Sequence, residues 1–140
     1  MKKIFKNQIA LALAGILAGT SAVAGTLVIN GDTSDPAPKA AFQAVIDGFE
    51  AENPDVDVVY NLFDHEGYKA AIRNFLSADA PDIAFWYAGN RMAPFVEAGL
   101  FAPIDDVWAD QGLYSLMASS APGMTMDGKK WLFQLIGTSL

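Results

Sequence analysis

Residues 26–62 read TLVINGDTSDPAPKAAFQAVIDGFEAENPDVDVVYNL, and they carry the first structural unit of the chain. The β-favouring run at residues 27–29 predicts a strand, which ends at the turn residues 30–32. Apolar residues with a 3.6-residue period then predict a helix over about 37–52. Apolar residues at every second position, from Val56 to Leu62, predict a second strand over about 56–62. The stretch is therefore a strand–helix–strand unit.

The same alternation of strands and helices continues along the chain. A second helix is predicted over about 66–78, with Asp64 as its N-cap, because a short acceptor side chain there can satisfy the free amides of the first turn. A third strand over 83–86 and a third helix over about 91–98 follow. This order is typical of right-handed crossover units, so the predicted fold class is α/β, with a parallel-rich sheet and helices on both of its faces.

Two further patterns complete the secondary-structure prediction. Beyond Gly99, which ends the third helix, short helices are predicted around 107–110 and 113–119. A hairpin follows over 125–129, with Asp127-Gly128 as its turn.

In the first helix, the apolar residues at i, i+3, i+4 and i+7 share one face: Phe42, Val45, Ile46 and Phe49.

The N-terminus has the pattern of an export signal. Three lysines precede an uncharged run over residues 9–19. Ala22-Val23-Ala24 then offers the small residues that signal peptidase accepts, which predicts a signal peptide over 1–24 and cleavage after Ala24. A membrane anchor is the alternative, but spanning a bilayer takes about 20 apolar residues, and this run is about half that length.

Charge and cysteine content restrict the function. Of the nine basic residues, three lie in the signal, which leaves six against 16 acidic ones and a net charge near −10. Such a surface repels nucleic acid and anionic membranes, so we expect neither as a partner. Cysteine is absent, which argues against a disulfide and against a lipid anchor on a thiol. These features predict a freely soluble protein of a Gram-negative periplasm.

Three predicted loops lie at the carboxyl ends of the strands, over about 30–35, 63–66 and 86–91. Ligands of open parallel sheets bind at this edge, and each loop leads into a helix N-terminus whose free amides can bind ligand oxygens. Aromatic rings suit the CH patches of a sugar, while carboxylates, amides and guanidinium groups suit its hydroxyls. The predicted ligand-binding residues are Asn30, Thr33, Asp35, Asp64, His65, Trp86, Tyr87, Asn90 and Arg91.

Structural roles compete with ligand binding at several positions in these loops. Trp86 closes a strand and suits packing, Asp64 suits a helix cap, and Asp32 and Asp35 suit turns. His65 is the only histidine of the sequence, and an ordinary surface role is its alternative. With one histidine and no cysteine, neither a metal site nor a histidine-dependent triad has support. We therefore expect no catalytic residue, no metal and no cofactor.

Four segments form a set with a specific order and spacing: TLVIN at 26–30, FDHEGY at 63–68, APDIAFWY at 80–87 and EAGLF at 97–101. Together they resemble the N-terminal lobe of family 1 extracellular solute-binding proteins, the periplasmic receptors of ABC sugar importers. The resemblance implies part of a periplasmic-binding-protein type II lobe over 25–131. It also implies a hinge and a second lobe that close on the ligand, and a monomeric, non-enzymatic receptor that delivers a sugar to an ABC permease.

The C-terminal residues depart from this family pattern. After Trp131, members of the family usually continue with a small residue, Val-Pro and an aromatic-rich strand, whereas this chain has LFQLIGTSL at 132–140. We interpret this stretch as out of frame, in a chain that is truncated before the hinge and the second lobe. Ligand contact from such a chain would be weak and unclamped.

Other functions stay open on the sequence alone. The alternatives are a nonfunctional fragment, a small exported enzyme, and a receptor for a polyamine, a peptide or a metal chelate. The enzyme lacks a nucleophile–base–acid set in a recognisable motif. Rings and amides in the predicted loops favour a sugar over the other solutes.

Overall fold

The computed structural model of the chain describes residues 25–133. The predicted signal peptide over 1–24, its cleavage site after Ala24, and residues 134–140 of the atypical C-terminal stretch lie outside the described residues. Within the described part, no helix is long and apolar enough to cross a bilayer.

Strands and helices alternate in the first two thirds of the described chain, as the sequence predicts. The helices are α1 (Pro36–Glu52), α2 (His65–Ala78), α3 (Ala93–Glu97), α4 (Asp105–Trp108) and α5 (Gln111–Met117). The strands are β1 (Gly25–Gly31), β2 (Val56–Leu62), β3 (Ile83–Ala84), β4 (Thr125–Met126) and β5 (Lys129–Lys130).

The first three strands form one parallel sheet in the order β2-β1-β3. The central strand β1 pairs with β2 from Gly25↔Val56 to Gly31↔Leu62. It pairs with β3 over Ile29↔Ile83 and Asn30↔Ala84 alone. The predicted α/β class with a parallel sheet is confirmed.

Helices α1 and α2 cover opposite faces of this sheet. The ring of Tyr60 contacts Phe42 of α1 at 4.9 Å between centroids. Phe63, three residues further along and therefore on the other face, contacts Phe75 of α2 at the same distance. Right-handed crossovers to strands on either side of β1 require this arrangement.

The apolar face of α1 is only partly covered. Ile46 is buried and Phe42 packs edge-on against the rings of Tyr60 and Phe85. Val45 and Phe49, which share the same predicted face, are 62% and 39% exposed. The described residues therefore bury about half of the apolar stripe that the sequence pattern shows.

Helix α2 is anchored at its start and along its inner face. Asp64 accepts a hydrogen bond from the Gly67 amide at 2.8 Å, which confirms the predicted cap. A Cβ atom at Gly67 would lie 2.5 Å from an Asp64 carboxylate oxygen, so a larger residue there would require the capping carboxylate to shift. Tyr68 and Ile72, each 1% exposed, pack with Phe95 of α3 as the core on this face.

The third strand and third helix are shorter than predicted. Strand β3 ends at Ala84 instead of residue 86, although the Phe85 amide still donates to the main-chain oxygen of Asn30. The predicted helix over 91–98 is divided into a 3-10 turn, Gly89–Arg91, and α3. Pro94 lies in the first turn of α3 and has no amide proton, so a continuous helix from residue 91 would lack a hydrogen bond there.

The remaining described residues form a second small core. Helices α4 and α5 each begin two residues before the predicted positions. The hairpin is confirmed: Asp127 and Gly128 both have positive φ values, 51° and 74°, as a tight two-residue turn requires. Leu132 and Phe133 pack against this core, although they open the atypical stretch over 132–140. The buried residues of the core are Trp108, Met117, Ala121 and Met124.

We expect Ile72→Ala to lower the free energy of unfolding by about 2–5 kcal/mol, because truncation of a buried isoleucine leaves a cavity. Leu116→Ala is the matched control, since Leu116 is 81% exposed, and its effect should stay within about 0.5 kcal/mol. Urea unfolding of the chain from residue 25 onwards measures both. Equal effects of the two variants would contradict the assignment of the core.

Asp64→Ala should cost about 0.5–2 kcal/mol of stability, because it removes the acceptor for the Gly67 amide. Asp35→Ala provides the comparison: Asp35 occupies the same cap position before α1 but makes no side-chain cap hydrogen bond. Chemical denaturation of both variants would show a loss for the first only. A similar loss for both would mean that charge near a helix N-terminus, rather than the hydrogen bond, is responsible.

Candidate ligand-binding site

The carboxyl ends of the three parallel strands bring their loops together at one edge of the sheet. Gly31 is in register with Leu62, and Asn30 with Ala84. The loops that follow begin within one residue of these pairs. The three loops that the sequence predicts to adjoin one another therefore do so.

Asp32, His65 and Tyr87, one residue from each loop, form a connected chain. The Nδ1 atom of His65 lies 2.6 Å from a carboxylate oxygen of Asp32. A carboxylate can only accept, so Nδ1 carries the proton, and the Tyr87 hydroxyl lies 3.1 Å from Nε2, within hydrogen-bonding distance. The His65 and Tyr87 rings meet edge-on at 6.1 Å. The orientation of the Tyr87 ring is thus set from both neighbouring loops.

Arg91 covers a face of the same ring. Its guanidinium carbon lies 4.6 Å from the Tyr87 ring centroid, at a distance typical of a cation–π contact. The Trp86 indole donates to the main-chain oxygen of Arg91 at 2.8 Å, which closes the loop between them. Among residues 25–133, the ion pairs do not include Arg91. Its exposed N–H groups are therefore available to a ligand.

Trp86 is packed into the structure as well as placed near the site. Its ring is half-buried and lies edge-on to Phe95 of α3 at 5.1 Å and to Tyr87 at 5.5 Å. Its indole N–H is already bound to a main-chain oxygen. The packing role that competes with ligand binding at this position therefore has direct structural support.

Asn30 lies beneath the loops and is 6% exposed. Its side-chain oxygen accepts from the Asn61 amide at 2.9 Å. Its main-chain oxygen accepts from the Tyr68 hydroxyl and from the Phe85 amide, both at 3.0 Å. These bonds link β1 to both neighbouring strands and to α2, so much of the hydrogen-bonding capacity of Asn30 is used within the fold.

The other predicted site residues differ in their surroundings. Thr33 is half-buried beside Tyr60, and burial raises the pKa of the Tyr60 hydroxyl. Asp35 is exposed at the start of α1. Asp64 is exposed but serves as the cap of α2. Asn90 is exposed in the 3-10 turn.

Two clefts contain residues that the sequence patterns did not indicate. A cleft of about 320 Å³ lies between residues 89–93 and residues 122–126, so Asn90 borders it together with part of the hairpin. A larger cleft of about 550 Å³ opens beside α2 and includes Asn30, Asn61 and Asn74. Asn61, a polar residue near the end of β2, could have indicated the larger cleft from the sequence. The contribution of the hairpin to the smaller cleft depends on long-range packing, so no local sequence pattern indicates it.

Acidic groups dominate the start of α2 and the loop after β1. Glu66 pairs with Lys69 at 2.7 Å, and this hydrogen bond lowers the pKa of the Glu66 carboxyl. Burial raises the pKa of Tyr68, which keeps its hydroxyl protonated as a donor to Asn30. Within the described residues, no group of three or more His, Asp or Glu side chains could hold a metal ion.

The site therefore combines an oriented ring, an exposed guanidinium and several carboxylates. A ring edge and face provide apolar contact with CH groups, and the guanidinium provides donors in a fixed plane. The free oxygen of Asp32 and the Asp35 carboxylate provide acceptors. This combination suits a polar, polyhydroxylated small molecule.

Several solved structures share this fold. AcbH, a bacterial solute receptor reported with an exclusive preference for β-D-galactopyranose, is 31% identical with a TM-score of 0.66. A protein studied in connection with xylan utilisation by Caldanaerobius polysaccharolyticus is 30% identical with a TM-score of 0.68. GacH of Streptomyces glaucescens GLA.O, solved unliganded and with acarbose, is 31% identical with a TM-score of 0.62.

These alignments cover 76% of this chain and 27% or 28% of each of the three matched chains. The chain thus spans about a quarter of the length of these receptors. A comparison with curated proteins finds no match. The model of the bacterial extracellular solute-binding protein family matches residues 33–125, which include the second and third loops and residues 33–35 of the first. The chain belongs to the family of bacterial extracellular solute-binding proteins.

Proposed function

We propose that this chain is the N-terminal part of the substrate-binding component of an ABC importer, and that its ligand is a sugar or oligosaccharide. The observation that carries the proposal is the connected set Asp32–His65–Tyr87–Arg91, which places a ring, a guanidinium and a carboxylate at the edge where parallel sheets bind ligands. In this proposal residues 25–131 belong to one lobe, and the protein is a monomer in the periplasm after cleavage at Ala24.

Each member of the set has a proposed role. Arg91 would donate hydrogen bonds to sugar hydroxyls, and Asp32, already aligned by His65, would accept one through its free oxygen. The exposed side chains of Asp35 and Asn90 would contact the rim of the ligand. Tyr87 would provide apolar contact, and its two fixed neighbours would reduce the entropy lost on binding.

The remaining predicted residues would act from behind this surface. Asn30 and Trp86 would hold the loops in place through their main-chain hydrogen bonds, and Asp64 would hold the start of α2. Thr33 would lie at the back of the site. Because the chain spans about a quarter of the matched receptors, these loops would form one wall of the site, and we expect the isolated chain to bind weakly.

A second candidate function is supported by charge. Three carboxylates, those of Asp32, Asp35 and Asp64, lie in the loops after β1 and β2, and a cationic solute such as a polyamine would be attracted to them. The oriented Tyr87 ring would suit an ammonium group too. Arg91 argues against this ligand, because it places a positive charge on the same ring.

A ligand panel followed by NMR separates the two functions. We expect a neutral sugar at millimolar concentration to shift the indole signal of Trp86 and the side-chain signals of Arg91, because both lie at the proposed site. The indole signals of Trp108 and Trp131 are internal controls, since these residues donate to main-chain oxygens in the second core and the hairpin. The panel contains galactose, xylo-oligosaccharides, acarbose and spermidine.

The outcomes of this titration are distinct. Shifts with spermidine alone, centred on Asp32 and Asp35, would replace the sugar by a cation. Absence of any ligand-dependent shift at Trp86, Tyr87 and Arg91 would contradict a binding site in these loops. Equal shifts at all three indoles would indicate a nonspecific effect of the additive.

We expect Arg91→Ala to weaken sugar binding by roughly ten- to a hundredfold, the equivalent of a lost hydrogen bond to a charged group. Arg73→Ala is the matched control, because Arg73 also lies over a ring, that of Phe95, at 5.0 Å, but belongs to α2. Titration of both variants with the best ligand of the panel gives the dissociation constants. Equal affinity of Arg91→Ala and the unsubstituted chain would remove Arg91 from the site.

A further inference from the structure

His65 connects the loop after β2 to both of its neighbours. Its Nδ1 atom lies 2.6 Å from a carboxylate oxygen of Asp32, in the loop after β1. The hydroxyl of Tyr87, in the loop after β3, lies 3.1 Å from Nε2 and 3.4 Å from Nδ1. Since Nδ1 is already bound to Asp32, Nε2 is the nitrogen that is open to the Tyr87 hydroxyl.

The charge of His65 decides the direction of a hydrogen bond between Nε2 and this hydroxyl. In the neutral ring, Nδ1 holds the proton that it donates to Asp32, so Nε2 has none and only the hydroxyl can donate. In the protonated ring both nitrogens carry protons, so Nε2 donates and the hydroxyl accepts. A tyrosine hydroxyl has one proton. That proton is used on His65 in the first state and is free for a ligand in the second.

His65 is placed to change its charge near neutral pH without unfolding. Histidine is the side chain whose ordinary titration falls between about pH 5 and pH 8. The side chain of His65 is 47% exposed, so solvent protons reach the ring. Arg91, which lies over the Tyr87 ring, keeps its positive charge throughout this range. A proton on His65 therefore adds a second positive charge next to the same tyrosine.

Carboxylates lie on both sides of His65, and their partners are defined. Asp32 faces the ring and is bound to Nδ1. On the helix of His65 itself, Asp64 accepts from the Gly67 amide, and Glu66 pairs with Lys69 at 2.7 Å. The bonds of these two helix residues do not involve the histidine ring. The contacts that respond to a proton on the ring are thus those with Asp32 and Tyr87.

We propose that His65 is a proton-controlled selectivity residue, which turns the Tyr87 hydroxyl from an acceptor into a donor for the ligand. The inference rests on the proposed sugar-binding function and adds the class of sugar that the low-pH state favours. A carboxylate can only accept hydrogen bonds, so a sugar acid gains both a donor and a positive charge when His65 is protonated. A neutral sugar gains less, because its hydroxyls donate as well as accept.

The ligand-free chain tests the coupling of the two side chains. His65 is the only histidine of the sequence, so its ring protons can be followed by NMR across the pH range without ambiguity. The ring signals of Tyr87 should move with them, whereas those of Tyr114, which contacts Trp108 in the second core, should stay constant. A Tyr87 ring that stays constant while His65 titrates would overturn the proposal.

His65→Asn is the conservative variant for this test. The amide nitrogen of asparagine takes the place of Nδ1 and keeps a donor for Asp32, but it does not titrate. We expect the Tyr87 signals of this variant to show no pH response over the same range. A response equal to that of the unsubstituted chain would mean that another group drives Tyr87.

Galactose and galacturonate test the selectivity, because they carry a hydroxymethyl group and a carboxylate at the same position. We expect the ratio of the affinity for galacturonate to that for galactose to rise roughly three- to tenfold from the upper to the lower end of the pH range, as expected for one gained hydrogen bond. NMR titration of the Arg91 and Tyr87 signals gives both dissociation constants. The rise should be smaller in Tyr87→Phe, where only the charge remains, and absent in His65→Asn.

The outcomes separate this proposal from the function on which it rests. Binding of both sugars with a constant ratio at all pH values would overturn the selectivity and leave the sugar function standing. Coupling of Tyr87 to His65 without binding of either sugar would contradict the sugar function and, with it, the selectivity. A rise of full size in Tyr87→Phe would assign the effect to charge alone and overturn the reversal at the hydroxyl.

Discussion

The buried amide residue Asn30 holds the carboxyl edge of the sheet together. Its main-chain oxygen accepts from Tyr68 of α2 and from the amide of Phe85 after β3, and its side chain accepts from Asn61 of β2. A buried polar group of this kind is costly unless it is fully paired. Because its partners come from three elements, the loops that form the candidate site take their positions from this one residue.

The elements with strong local patterns were predictable from sequence, and those that depend on distant contacts were not. Helix α1 and strand β2 follow from hydrophobic periodicity within one segment, and the cap at Asp64 and the turn at Asp127-Gly128 follow from short-range backbone chemistry. The early end of β3 does not, because residues 83–86 form one uninterrupted apolar run with no local signal for a strand end. The break before α3 could have been predicted from Pro94, but the apolar residues on both sides concealed it.

The candidate site shows the same division. Topology alone placed the three loops at one edge, so the proximity of Asp32, His65 and Tyr87 was implied by the strand order. Their connection by hydrogen bonds was not, since His65 has no sequence pattern that distinguishes a bridging histidine from a surface one. Asn30 shows a further limit: a polar residue at a strand end suits a ligand contact and a structural bond equally, and only burial and partners distinguish them.

The strand order has a consequence for the way in which the chain is synthesised. Strand β1 is central in the sheet, yet it is the first of the three strands to be made. It can pair with β2 once residue 62 has been added, whereas its other side stays open until residue 84. Between the synthesis of residues 62 and 84, the edge of β1 that later pairs with β3 has no strand partner. Asp82, which binds the Val28 amide, is added only near the end of this interval. The most buried strand of the sheet is therefore completed last on the side where it has the fewest pairs.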